Sequence, residues 1–133
     1  MESRRQAITR IGPSACLTVD LRELCLGFTG AEETYPFSPE VTVFKVRGKI
    51  FAIANLAGDP QSISLKCEPE LAEQLRADHA AITPGYHLNK RHWNTVKVDG
   101  SLPEQLVRDM VEDSYDLVVE SLPKRIREDL GWP

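Results

Sequence analysis

The sequence contains no apolar run long enough to cross a membrane and no apolar leader. A membrane-spanning helix needs about 20 consecutive apolar residues, and polar residues interrupt every stretch of the chain well before that length. The first residues, Met1-Glu-Ser-Arg-Arg, continue into polar sequence instead of the apolar core of a secretory signal. We therefore expect a cytoplasmic protein that does not associate with membranes.

Cysteine is scarce, and its spacing does not suggest a disulfide framework. The three cysteines, Cys16, Cys25 and Cys67, are widely separated and odd in number. Disulfide-stabilised domains are typically small secreted chains with an even and dense set of cysteines. In a reducing compartment, we expect these side chains to be buried or half-buried small hydrophobic groups.

The motifs that mark common catalytic and cofactor sites are also missing. The chain has no Gly-x-Gly phosphate loop, no Walker pattern and no paired-cysteine spacing for a metal. His87 and His92 lie five residues apart, far from Cys67, and a thiol at an inward strand position is usually inert. We therefore predict a non-enzymatic protein with no cofactor and no metal site. Catalysis by Cys67 with a histidine is the alternative.

The sequence also lacks an excess of positive charge. The formal net charge is −4, which argues against a surface that is basic on all sides. The charges are nevertheless segregated along the chain. Residues 41–67 hold four bases and the acid Asp59, whereas residues 102–120 hold six acids and the base Arg108. Because the first segment is predicted as strands and the second as a helix, we expect a basic sheet and an acidic helix.

The length and the turn signals favour one domain. A chain of 133 residues that divided into two domains would leave both with too little core. We expect residues 1–13, which end in Gly12-Pro13, to form a flexible N-terminal arm, and residues 14–133 to form a single domain.

Apolar spacing of three and four residues predicts the helices. They are expected over residues 18–28, 69–77 and 102–120, with a last short helix over residues 124–130. Thr18 is a candidate cap of the first helix. Ser101 and Glu104 have the spacing of a capping box before the long helix.

Period-two alternation predicts the strands. They are expected over residues 41–46, 49–54, 62–67 and 94–98, with shorter strands over residues 32–35 and 82–87. Strands joined by short turns pair antiparallel, and helices between groups of strands can share one face of the sheet. The predicted fold class is therefore α+β, a two-layer arrangement of an antiparallel sheet with helices packed on one face.

The predicted core consists of helix stripes against the inward side of this sheet. Its expected members are Leu21, Leu24, Phe28, Ile63, Leu65, Leu75, Val96, Val98, Val107, Met110 and Val111.

The outward side of the sheet is the first candidate site. On the strands that end near Cys67 and Val98, the outward positions include Lys66 and Lys97. A basic sheet face or a pair of hairpin loops can follow a phosphate backbone, whereas lysines on an open sheet also serve as ordinary edge protection. The basic candidates in the strands and hairpins are Lys45, Arg47, Lys49, Lys66 and Lys97.

The second candidate site is the segment at residues 86–93. Its sequence is Tyr86-His-Leu-Asn-Lys-Arg-His-Trp93, which places two aromatics, two histidines, an amide and two cations in eight residues. Such residues contact phosphates, base edges and base faces. They could instead line a pocket for an anionic small molecule, dock a protein or, for Tyr86 and Trp93, anchor the core. The nucleic-acid candidates here are Asn89, Lys90, Arg91, His92 and Trp93.

Several segments resemble the MmcQ/YjbR-like family, in that family's order, from about residue 21 to residue 127. They are Tyr35-Pro-Phe, Val43-Phe-Lys-Val with Gly48-Lys-Ile-Phe-Ala, Leu65-Lys-Cys-Glu-Pro-Glu-Leu, Tyr86-His-Leu-Asn-Lys-Arg-His-Trp-Asn-Thr-Val, Asp99-Gly-Ser-Leu-Pro and Ser114-Tyr115. The resemblance implies a compact α+β fold described as CyaY-like or secretion-chaperone-like. It also implies DNA binding through two hairpins that approach the duplex. The positions that fit this role are Lys45, Lys49, Lys66, Asn89, Lys90, His92 and Trp93.

We therefore predict a monomeric, non-enzymatic domain that binds DNA through its basic strands and residues 89–93. The alternative is a protein- or small-ligand-binding module that uses the cluster from Tyr86 to Trp93 and takes no nucleic acid.

Overall fold

A computed structural model of the chain describes residues 20–58, 60–85 and 92–132. The expected arm at residues 1–13 and the candidate cap Thr18 lie outside the described residues. Within the described ranges the chain forms four helices and six strands. In chain order they are α1 Leu21–Leu26, β1 Ala31–Ser38, β2 Val41–Val46, β3 Lys49–Asn55, β4 Gln61–Lys66, α2 Pro69–Asp78, β5 Ile82–Pro84, β6 Trp93–Val98, α3 Glu104–Glu120 and α4 Lys124–Asp129.

The six strands form one antiparallel sheet in the order β1-β2-β3-β4-β6-β5. Helix α3 packs on the central strands β2 to β4, α2 packs on β5 and β6, and α1 packs on β1. Buried side chains of these three helices join the inward strand residues in one hydrophobic cluster. The predicted α+β class, with helices on one face of an antiparallel sheet, is confirmed.

The β2–β3 hairpin turns at the predicted dipeptide. Arg47 and Gly48 both have positive φ, 49° and 83°, as expected of the two central residues of a type I′ turn that matches the twist of the strands. Further along, Phe44 pairs with Ala52 and Lys45 pairs with Ile50. Phe51 is left without a partner in the ladder, so it forms a β-bulge.

The core is confirmed at most of the predicted positions. Leu24, Phe28 and Val98 are only partly buried and pack on the edge of the cluster. Tyr115 of α3 stacks on Phe28 with ring centroids 4.8 Å apart and meets Phe51 edge-on at 5.4 Å. The predicted core residues that are buried are Leu21, Ile63, Leu65, Leu75, Val96, Val107, Met110 and Val111.

Two helix starts differ from the prediction because the nearby carboxylates of Asp20 and Asp99 accept the local hydrogen bonds. Helix α1 begins at Leu21, and the Asp20 carboxylate caps it by accepting the Glu23 backbone N–H at 3.0 Å. Helix α3 begins at Glu104 after Pro103, with no side-chain cap. The predicted capping box is wrong, because the Ser101 hydroxyl donates to the Asp99 carboxylate at 2.6 Å instead.

Candidate nucleic-acid interface

The side of the sheet away from α1, α2 and α3 carries three of the four lysines of the described strands, and we name it the lysine face. Successive side chains of a strand point to opposite sides, so the outward positions of β4 and β6 lie opposite the core residues Ile63, Leu65 and Val96. The prediction that Lys66 and Lys97 share this side is confirmed by the strand register. The lysine face is defined by Lys45, Lys66 and Lys97 together with Ser62, Ser64, Trp93 and Thr95.

One row of the lysine face crosses all six strands. Its paired residues are, in order, Thr34, Val43, Ile53, Ser64, Thr95 and Thr83. The Ser64 and Thr95 hydroxyl oxygens lie 2.9 Å apart and share a hydrogen bond. Val43 is fully buried, whereas Thr83 at the β5 edge is exposed. The accessible part of the row therefore lies toward β4, β6 and β5.

Three cross-strand pairs between β4 and β6 on the lysine face form what we name the β4–β6 ladder. They are Lys66 with Trp93, Ser64 with Thr95, and Ser62 with Lys97. Lys97 is exposed, and Lys66 and Trp93 are half-buried. At about 3.4 Å per residue, Trp93 and Lys97 stand roughly 13 Å apart along β6. The ladder thus places an aromatic ring, hydroxyls and two ammonium groups on one surface.

Negative charge is nearly absent from this side of the described strands. They carry two carboxylates, Glu32 and Glu33. Glu32 lies on the lysine face opposite Lys45. Glu33 points to the other side, where its carboxylate accepts the Arg22 Nε–H at 2.7 Å. The lysine face therefore has three bases against one acid.

The helix layer has the opposite charge. Six acids lie along α3, and its one base, Arg108, already pairs with Glu104 at 2.7 Å. Burial and the neighbouring carboxylates of Glu112, Asp113 and Glu120 raise the pKa of Asp116 from 3.8 to about 6. Burial also raises the pKa of Asp113, with additional repulsion from nearby acids of α3 and from Glu68. A polyanion is accordingly repelled by α3 and attracted to the lysine face.

The structure brings some of the predicted site residues together. Lys45, Lys66, Trp93 and Lys97 share the lysine face, and Arg47 is exposed at the β2–β3 turn beside it. The backbone carbonyl of the half-buried His92 accepts the Cys67 N–H at 2.6 Å. The remaining candidates of the second segment, Tyr86, His87, Asn89, Lys90 and Arg91, lie outside the described residues.

Lys49 does not join the other lysines. It pairs with Val46, and its Nζ reaches the helix side, where it donates to Ser121 Oγ at 3.4 Å. The cause is the bulge at Phe51, which shifts the alternation of β3 by one residue. The hydroxyls of Ser62 and Thr83, which were not among the predicted site residues, do lie on the lysine face. Strand alternation is the signal that could have identified them.

A groove between α2 and α3 has a volume of about 280 Å³. Its lining residues are Cys67, Glu68, Leu71, Asp113, Asp116, Leu117 and Glu120. Four of these seven side chains are acidic, so the groove is unsuited to a phosphate or another anion. It lies in the helix layer and does not belong to the lysine face.

The described thiols are poor nucleophiles. Burial raises the pKa of Cys25 to about 12, and burial together with the Asp113 carboxylate raises the pKa of Cys67. The thiolate, which is the reactive form, is therefore disfavoured at neutral pH. In the ranges that the structure describes, no three His, Cys, Asp or Glu side chains are grouped to hold a metal ion. None of the helices described is long and apolar enough to span a membrane.

Comparison with known proteins identifies relatives over most of the chain. The YjbR family model matches residues 26–117. The chain is 38% identical over 109 residues to the uncharacterized protein YjbR of Escherichia coli, covering 82% of this chain and 92% of that protein. The crystal structure of a Deinococcus radiodurans protein with a DUF419 domain has a TM-score of 0.81 at 42% identity, covering 86% of this chain and 87% of that one. A Pseudomonas syringae crystal structure has a TM-score of 0.61 at 28% identity, covering 74% and 98%.

Proposed function

The chain belongs to the YjbR family, and we propose that it is a non-enzymatic domain that binds nucleic acid, DNA in the first place, on its lysine face. The observation that carries this proposal is that Lys45, Lys66 and Lys97 share one side of the sheet while the acids of α3 lie on the other. Ammonium groups on a sheet surface contact phosphate oxygens and fix the position of the nucleic acid.

Charge segregation determines on which side of the protein a nucleic acid binds. A phosphate backbone on the helix layer would face uncompensated carboxylates, because Arg108 is already paired. On the lysine face it meets three ammonium groups and one carboxylate, Glu32. A net charge of −4 is compatible with binding on this side, since the attraction is local and falls off over about 8–10 Å in physiological salt.

Three phosphate contacts set the expected strength. Binding that rests on a few lysines lies in the range of non-specific complexes, with Kd of about 10⁻⁴ to 10⁻⁶ M at physiological salt. The affinity should also fall with salt, by about 0.7 to 0.9 units of logarithmic slope for each phosphate neutralised. We assign the chain to binding and not to catalysis, and the disfavoured thiolates of Cys25 and Cys67 support that assignment.

The test is a titration of a labelled oligonucleotide at about 50 and 200 mM salt, followed by fluorescence anisotropy. Lys66→Gln and Lys97→Gln should each weaken binding and reduce the salt slope by about 0.7 to 0.9 units, whatever the base sequence. Lys124→Gln is the matched control, because it makes the same change at an exposed position of α4. Equal losses from all three variants would contradict binding on the lysine face.

A protein-binding module is the second candidate. Tyr35 and Phe37 are 50% and 67% exposed on β1, which is an edge strand of the sheet. Exposed aromatic residues are frequent binding hot spots. If duplex DNA, single strands and RNA all fail to bind at physiological salt, this candidate replaces nucleic-acid binding.

A further inference from the structure

The described elements are poorly shaped for entering a duplex groove. The major groove is about 12 Å wide and admits an α-helix or a two-stranded ribbon. The β2–β3 hairpin is not a free ribbon, because β1 pairs with β2 up to Val46, the last residue before the turn. Three strands spaced by about 4.8 Å place the outer backbones roughly 10 Å apart before any side chain is added. This end of the sheet is therefore too wide for the groove.

The described helices offer no better route into a duplex. Most charged residues of helices α2 and α3 are acids, and their carboxylates would repel phosphates. Helix α4 has basic residues, but its six residues span only about 9 Å. A duplex would consequently contact these described helices and strands through its phosphates alone, with none of them in either groove.

The β4–β6 ladder fits an unpaired strand instead. Trp93 is half-buried beside Lys66 on the lysine face, and an aromatic ring can stack on a base only when that base is free of its own helix. Trp93, Thr95 and Lys97 follow one another along β6 as ring, hydroxyl and ammonium. The roughly 13 Å between Trp93 and Lys97 leaves room for a base on the ring and a phosphate of the same strand at the ammonium group.

We propose that the β4–β6 ladder binds single-stranded nucleic acid in preference to duplex, with a base stacked on Trp93 and phosphates at Lys66 and Lys97. This inference rests on the proposed function, to which it adds the strand state of the ligand. Lysine contacts are shared by both ligands, since both have phosphates. Stacking on Trp93 belongs to the single strand alone.

The experiment compares a labelled oligonucleotide of about 12 nucleotides with its own duplex, at about 150 mM salt. The single strand should bind at least about tenfold more tightly. Trp93→Leu should lower the affinity for the single strand by about tenfold and change the affinity for the duplex by less than about twofold. Trp93→Tyr, which keeps an aromatic ring, should retain most of the single-strand affinity. Lys97→Gln should weaken both ligands.

A fluorescence measurement covers the case in which Trp93→Leu does not fold. The chain has two tryptophans, so Trp132→Phe leaves Trp93 as the only one. In that variant, the unlabelled single strand should quench tryptophan emission, and the duplex should not.

The outcomes separate this inference from the function beneath it. Equal affinity for the duplex, with no quenching by the single strand, would overturn the inference while the lysine variants still support nucleic-acid binding. Failure of both ligands to bind at this salt would remove the proposed function and the inference with it.

Discussion

At the scale of single residues, the side-chain hydroxyl of Ser114 links α3 to strands β3 and β4 by hydrogen bonds. Ser114 is fully buried, its Oγ donates to the Phe51 carbonyl oxygen at 2.6 Å, and it accepts the Lys66 backbone N–H at 2.8 Å. Ser114→Ala removes both bonds and leaves buried polar groups without this partner. We expect the free energy of unfolding to fall by about 1–3 kcal/mol, measured by urea denaturation.

Ser121→Ala is the control for that change. Ser121 is exposed at the end of α3, where its hydroxyl donates to the Val118 carbonyl oxygen and accepts the exposed Lys49 Nζ at 3.4 Å, so it satisfies no buried group of the sheet. Its loss should change the free energy of unfolding by less than about 0.5 kcal/mol. Similar effects at positions 114 and 121 would show that the buried bridge to the sheet does not stabilise the fold.

Leu65 tests the alternation on which the lysine face depends. It is 2% exposed in the core, next to Lys66 on the opposite side of β4. Leu65→Ala should lower the free energy of unfolding by about 2–5 kcal/mol, because it leaves a cavity in a packed core. Leu71→Ala, at a leucine that is 39% exposed, should cost less than about 1 kcal/mol. A comparably small cost at Leu65 would contradict the assigned strand phase.

Residue types alone predicted part of the candidate site. Strict alternation at residues 62–67 and 94–98 placed Lys66 and Lys97 together, and the register agrees. Lys49 was grouped with them because it flanks the hairpin turn, but the apolar run Ile50-Phe51-Ala52-Ile53 has no polar residue to mark the bulge. A one-residue bulge reverses the side on which a side chain lies, and only the paired strands reveal where it occurs.

At the scale of elements, the acids of α3 make the stability of the folded chain depend on pH. Asp116 has carboxylates three and four residues away on the same helix, at Asp113, Glu112 and Glu120. Its folded pKa of about 6 lies above its usual value of 3.8, so between these values the folded state binds more protons than the unfolded state. Stability therefore falls as pH rises through this window and stays lower above it.

Asp116→Asn removes this penalty. We expect the free energy of unfolding to rise by about 0.5–1.5 kcal/mol at pH 8, because the substitution removes a partly buried charge and three like-charge contacts. The gain should vanish near pH 4, where Asp116 of the folded wild-type chain is already protonated. Glu40→Gln, in the β1–β2 turn, makes the matched carboxylate-to-amide change away from the helix and should show no such pH dependence. A gain at pH 4 equal to that at pH 8 would contradict the mechanism.

Helix interiors followed from the sequence more closely than their ends. The apolar stripes of α2 and α3 came from spacing, and tertiary packing reinforced them. The starts of α1 and α3 depend on which nearby oxygen accepts a hydrogen bond. The Asp20 carboxylate caps α1, and the Asp99 carboxylate accepts the hydrogen bond of the Ser101 hydroxyl before α3. Several residues at a helix end can satisfy the same backbone groups, so the pattern alone did not select one.

At the scale of the whole molecule, charge segregation along the chain becomes segregation between two layers. The acid-rich segment forms α3, and bases of the strand segments lie on the far side of the sheet. The sequence predicted this division because strands and helices of a two-layer fold face opposite sides. It did not predict the strand order, which places β6 between β4 and β5 and thereby builds the β4–β6 ladder. That order depends on contacts between residues distant in sequence.

The most direct test of the account is a map of backbone amide shifts during titration with single-stranded and duplex DNA near physiological ionic strength. Binding on the lysine face predicts shifts that concentrate at Lys45, Lys66 and residues 93–97, with α3 largely unaffected. It also predicts that these shifts persist at about 150 mM salt. Shifts centred on α4 or on the α2–α3 groove, or shifts present only at very low salt, would contradict nucleic-acid binding by this face.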